Sequence, residues 1–190
     1  MEHAADRPTR NPPRMLRKLV AVAAVAALAT AAASPVARSA TGTRHASLSA
    51  LESGVLQQLN QIRAEHGLAA LRASPSLDAS AAQHTKEMGV DGYFAHNSFD
   101  GTAFWKRIQR WYDSTDYGYW SVGENLLWSS PDVDASAALK LWMSSPDHRA
   151  NILAPRWREI GISAMHFTAA PGAFRDKPVT IITTDFGVRR

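Results

Sequence analysis

Apolar residues at Leu51, Val55, Leu56, Leu59 and Ile62 recur at three- and four-residue intervals between Leu48 and Gly67. That spacing predicts an amphipathic helix, with Gly67 placed as its left-handed C-terminal cap. A second helix is predicted over SPSLDASAAQHTKEMG, with Ser74 as N-cap, Pro75 in the first turn and Leu77, Ala81, Ala82 and Met88 as the buried stripe. DGYFAHNSFDG is dense in turn formers and reads as a loop carrying His96. TAFWKRIQRW follows as a short third helix, YDSTDYGYWS as a loop, and VGENLLW as a strand. DVDASAALKLWM starts a helix near Asp132 or Asp134 that packs Ala138, Leu141 and Trp142. EIGISAMHF and PVTIITTDFGV alternate as two strands, joined by TAAPGAFRDK as a hairpin loop. Helices first and paired strands last predict an α+β fold, helices covering an antiparallel sheet.

The first residues break this pattern. Arg7, Arg10, Arg14, Arg17 and Lys18 precede an uncharged apolar run from Leu19 to Ala33, and small residues follow around Ser39. This order predicts a secretory signal over residues 1–39, cleaved near Ser39 or alternatively near Ala33. The run is shorter than the roughly 20 residues of a spanning helix, so no permanent membrane span is expected. Residues 40–47 are expected as a mobile arm ahead of a single domain over 48–190. Beyond residue 39 the chain holds fifteen basic and fifteen acidic groups. The formal charge of +4 therefore belongs to the leader, and nucleic acid is not an expected partner. With no cysteine, the domain relies on its apolar core alone.

Candidate chemistry centres on SSPDHRAN. Pro146 disfavours helical geometry at the residue before it, so the helix containing Trp142 should end near Ser144. Ser145 then caps a new turn, Pro146 occupies its first position, and His148 falls near the positive end of the helix dipole. This placement favours a neutral imidazole, the form a metal ligand needs, while Asp147 opposes it. His96 in its loop and Glu124 between Gly123 and Asn125 are the other candidate ligands. Two histidines and a carboxylate can hold Zn²⁺ or another divalent cation with positions left open. A packed or surface imidazole is the expectation for His84, and a salt bridge for Glu159. HExxH, CxxC, GxSxG and GxxxxGK[ST] are absent, which removes the compact signatures of zincins, zinc ribbons, serine hydrolases and phosphate loops.

The set LNQIRAEHGLAAL, FAHNSFDG, VGENLLW, LWMSSPDHRANIL and EIGIS resembles the CAP superfamily of cysteine-rich secretory, antigen 5 and pathogenesis-related class 1 proteins, in its bacterial SCP-like form. The resemblance covers residues 48 to 188 and implies an α-β-α sandwich with a central cleft. It implies that His96, His148 and Glu124 line that cleft and can take a divalent cation, often zinc. In eukaryotic members a second acid comes three positions after a helix tryptophan; counting from Trp142 gives Ser145, so the full tetrad is replaced by a His-Glu-His set. Asn151 matches a polar cleft position. The aromatic loop with Tyr117, Tyr119 and Trp120 is the candidate platform for a lipid or sterol, since some members bind such ligands.

Three functions follow as expectations. The first is a secreted, non-enzymatic binding module acting on an envelope or extracellular partner. The second is a metal-dependent hydrolase with Glu124 as general base. The third is a sterol or fatty-acid carrier. The fold alone does not choose among them.

Overall fold

The computed structural model describes residues 36–190, with side chains from Ser49 onward. All but the last four residues of the predicted export signal lie outside the described residues. Among the described residues, no helix is long and apolar enough to cross a membrane.

α1 spans Val36–Glu65. Its backbone includes residues 40–47, where an arm is expected; that stretch contains no proline to interrupt a helix. β1 is Arg72–Ala73, α2 is Pro75–Asp91 and α3 is Phe104–Gln109. β2 runs from Trp120 to Ser129, α4 from Ala135 to Ser144 and α5 from Pro146 to Ile152. β3, Glu159–Ala170, and β4, Lys177–Arg189, complete the order.

The four strands form one sheet in the order β1-β3-β4-β2. The three long strands are antiparallel as predicted, whereas β1 pairs in parallel with the start of β3. Two residues carry no periodicity, which is why the pattern misses β1. β4 lies inside the sheet and is buried on both faces from Val179 to Val188. Its even-numbered Ile182, Phe186 and Val188 meet Val55 and Leu59 of α1 and Ala138, Leu139 and Trp142 of α4. Its odd-numbered Val179 and Ile181 pack with Met88 of α2. Leu77 of α2 joins Ile108 and Tyr112 at the other end of that face. Helices therefore cover both sides of the sheet, as an α-β-α sandwich.

Leu141, expected in the core, is exposed, and Leu139 takes the buried position on α4. The indole of Trp142 donates to the Leu126 carbonyl at 3.0 Å, pinning α4 to β2. Arg63, fully buried near the end of α1, donates to the carbonyls of Ile152 at 2.7 Å and Ala154 at 3.1 Å. Those carbonyls close α5, so one guanidinium fixes the helix that presents His148.

Candidate functional site

Strand period decides where Glu124 points. In β2, even-numbered side chains face α2 and α3, and Glu124 lies directly opposite Asp185 of β4. Both carboxyls are buried, and the cation that meets them is Arg107, itself fully buried on α3. Arg107 donates through Nη2 to Glu124 Oε2 and through Nη1 to the His96 carbonyl at 2.9 Å. Glu124 Oε1 stands 2.8 Å from His96 Nδ1, so the carboxylate receives that ring proton. His96 is thus held at both its backbone and its ring, while half of its side chain remains open to solvent.

Beneath this pair, His84 of α2 is fully buried. Its Nε2 donates to the Ala95 carbonyl at 3.0 Å and lies 3.9 Å from Glu124 Oε2. The Tyr93 hydroxyl sits 3.3 Å from His84 Nδ1 and 3.2 Å from Glu87 Oε2. His84 is a packed imidazole as expected, and it also braces the loop that carries His96.

Burial pushes the Glu124 carboxyl up to about 7, against the lowering effect of Arg107. Asp185 is raised well above the ordinary aspartate value by burial and by the charge of Glu124. Two carboxyls share one guanidinium in a dry interior, which favours one proton remaining on the pair. Among the described residues Arg107 Nε makes no hydrogen bond, and the Asp185 oxygens and Ser80 Oγ make none of good geometry, although Ser80 and Glu124 lie close enough to Asp185 to interact with it.

His148 occupies the first turn of α5, with Ser145 as N-cap and Pro146 behind it, as the sequence predicts. Ser145 makes no side-chain cap bond. The imidazole is shifted toward neutral, first by burial and next by the nearby His96, with Asp147 opposing. The direction matches expectation, and burial is its largest cause. His96 is lowered too, by burial and then by Arg107. Both rings are therefore uncharged near pH 7 and able to offer a nitrogen lone pair.

Asn151 stitches α5 to β2, donating to the Glu124 carbonyl at 3.2 Å and to Asn125 Oδ1 at 3.0 Å. Asn125 in turn donates to the His148 carbonyl at 3.2 Å. Gly123 permits this approach, since a Cβ there would lie 2.7 Å from Asn151 Oδ1 and from the Trp157 ring. The aromatic loop lies differently from a bare platform. Arg189 stacks 5.0 Å from the centre of the Tyr117 ring, and Arg190 lies 5.0 Å from that of Tyr119. Trp120 packs in the core edge and donates its indole proton to the Tyr112 carbonyl at 2.8 Å. Glu159 accepts from the Tyr112 hydroxyl and forms none of the expected salt bridges among the described residues.

Among the described residues, no three His, Cys, Asp or Glu side chains form a group that could hold an ion. Of the three residues predicted as ligands, Glu124 is engaged behind His96 through its 2.8 Å contact with Nδ1. Sequence reasoning missed Arg107 and Asp185. Asp185 had a signal, as a lone charge inside the uncharged run VTIITTDFGV, whereas Arg107 had none.

Comparison with known proteins bears on this geometry. The family model described as the cysteine-rich secretory protein family, CAP, matches residues 56–173, more than half of the chain. The uncharacterized protein YkwD of Bacillus subtilis is 31% identical over 116 residues, covering 61% of this chain and 43% of that protein. The chain thus spans less than half the length of this curated relative. An extracellular protein containing a SCP domain from Bacillus anthracis is similar in structure, with a TM-score of 0.54 and 26% identity over 75% of this chain and 43% of its own. An outer surface protein from Borrelia burgdorferi shares the fold at a TM-score of 0.57 and 18% identity, covering 71% of this chain and 90% of that one.

Proposed function

The chain belongs to the cysteine-rich secretory protein (CAP) family, and from that premise we propose that it is an exported, non-enzymatic binding module. Its cleft presents His96 and His148 to a divalent cation such as zinc and to an extracellular or envelope partner. Glu124 stands behind His96 and orients it. The extracellular description of the Bacillus anthracis relative supports the export.

The observation that carries this reading is the full engagement of Glu124. One oxygen is held by His96 and the other by Arg107, and the side chain is only 1% exposed. A general base must reach the proton it removes, through its own lone pair or one water. Glu124 has no free edge toward the cleft, which disfavours the hydrolase. The carrier reading is weakened by Arg189 and Arg190 lying over Tyr117 and Tyr119.

A ligating histidine whose second nitrogen donates to a carboxylate has its tautomer and ring direction fixed. His96 has that partner in Glu124, leaving Nε2 to face the cleft. When bound, a cation supplies open coordination positions to oxygen or nitrogen groups of a partner.

Zinc titration by calorimetry tests this. We expect His96→Ala/His148→Ala to weaken zinc binding at least 100-fold, and Glu124→Gln to weaken it about 10-fold, the range for outer partners of a ligand. Equal zinc affinity in wild type and the double variant overturns the metal cleft. Zinc-dependent ester or amide hydrolysis that disappears in Glu124→Gln overturns the non-enzymatic reading.

A further inference from the structure

The sheet edge remote from Glu124 holds a cavity of its own. β2 forms one edge and carries Glu124, while β3 approaches the other, where β1 pairs only with Glu159 and Ile160. Past Ile160 that edge of β3 is open. It floors a cavity of about 570 Å³ whose walls come from α1 and α2, with Leu56, Ala82, Ile160 and Ile162 as its apolar lining.

Two acids reach this floor from opposite sides. Glu52 of α1 accepts from the Ala164 amide at 2.8 Å, and Asp78 of α2 accepts from the Ile162 amide at 2.9 Å. Each carboxylate uses one oxygen in the place of a partner strand's carbonyl. An added strand would have to displace both, so the edge is blunted against strand pairing. A residue's C=O points to the same side of a strand as its N–H, so the Ile162 and Ala164 carbonyls face this edge as well.

The remaining oxygens of Glu52 and Asp78 have no hydrogen-bond donor and no ion pair among the described residues. Burial raises both carboxyls, and the charge of Asp78 further raises Glu52. A cavity with apolar walls, two carboxylates and outward carbonyls complements a positive group on an apolar stem. Its volume falls in the range of small-molecule sites, roughly 300–1,000 Å³.

We propose that this cavity binds an organic monocation, with an ammonium or guanidinium group between Glu52 and Asp78 and its apolar stem against Leu56, Ala82 and Ile160. The proposal is independent of the metal cleft, which lies at the opposite edge of the sheet.

n-Hexylammonium chloride and hexan-1-ol, matched in stem, are the probes, followed through the Ile162 and Ala164 amide resonances. The ammonium should shift both saturably, at least tenfold more tightly than the alcohol, and weaken with added salt. Glu52→Gln/Asp78→Asn, which keeps an acceptor oxygen for each amide, should cost the ammonium at least tenfold in affinity. Equal binding of the two probes, an unaffected double variant, or no saturable shift at these amides overturns the proposal. Should the double variant fail to fold, the two probes on the wild-type chain decide alone. Zinc affinity measured in parallel separates failure here from failure of the metal cleft.

Discussion

Arg107 is the residue on which the buried charges converge. It meets Glu124 with one arm and the His96 backbone with the other, in an interior where Asp185 lies opposite Glu124 on the neighbouring strand and feels the same positive charge. Removing one partner of a buried ionic group leaves the other uncompensated. Arg107→Met should therefore destabilise the protein by about 3–5 kcal/mol in urea denaturation. His84 makes a second, pH-dependent prediction. Burial, then Arg107, lower its pKa from 6.5 to about 3, although it donates to Ala95 and faces Glu87, Glu124 and Tyr93. Between those values the unfolded chain binds a proton that the native ring refuses, so stability falls as pH falls from 6.5 toward 3. Denaturation at pH 7.5 and 5.0 should show the wild type losing about 2 kcal/mol more than His84→Gln over that interval. His96, Glu124 and His148 were legible because they stand in short polar stretches between recognisable elements. Arg107 was not, because a basic residue in a short helix looks solvent-facing until tertiary packing buries it.

Helix ends test how far local signals govern the elements. Asp134 caps α4 by accepting from the Ala137 amide at 2.8 Å, whereas Ser145 caps α5 by backbone position alone. Asp134→Ala should cost about 1 kcal/mol in thermal or urea melts, and Ser145→Ala no more than about 0.3 kcal/mol. The contrast separates two residues that propensity treats alike, and a reversed order would mean that the cap bond of Asp134 contributes nothing. Pro146 and the apolar spacing of α1, α2 and α4 made these helices readable in the sequence. The long strands were readable in position but not in burial, because β4 is covered on both faces and its polar Thr183, Thr184 and Asp185 are inside. β1 was unreadable, since its two residues are a strand only through pairing with β3.

At the scale of the molecule, the sandwich depends on how closely α2 can lie on the sheet. Gly161 of β3 marks that approach: a Cβ there would stand 2.0 Å from the Leu77 carbonyl carbon and 2.2 Å from the Asp78 amide nitrogen. The obstacle is helix backbone, which cannot rotate aside as a side chain does. Gly161→Ala must therefore lift α2, opening the packing of Leu77 on Tyr112 and Ile108 and drawing Asp78 away from the Ile162 amide. Overfilling a packed interior costs typically 1–3 kcal/mol, and a rigid helix backbone lying directly on a strand belongs at the upper end or beyond. We expect a loss of at least about 2 kcal/mol in urea denaturation, with the Ile162 amide resonance displaced. Gly118→Ala is the matched control, because a Cβ at that position would meet nothing nearer than 3.9 Å and its φ is ordinary. A change there within about 0.5 kcal/mol is expected of a surface site. Equal stability of the two variants would mean that α2 is not seated against β3 at Gly161. The layer that carries His84 beneath Glu124 would then lose the contact that sets its height above the sheet.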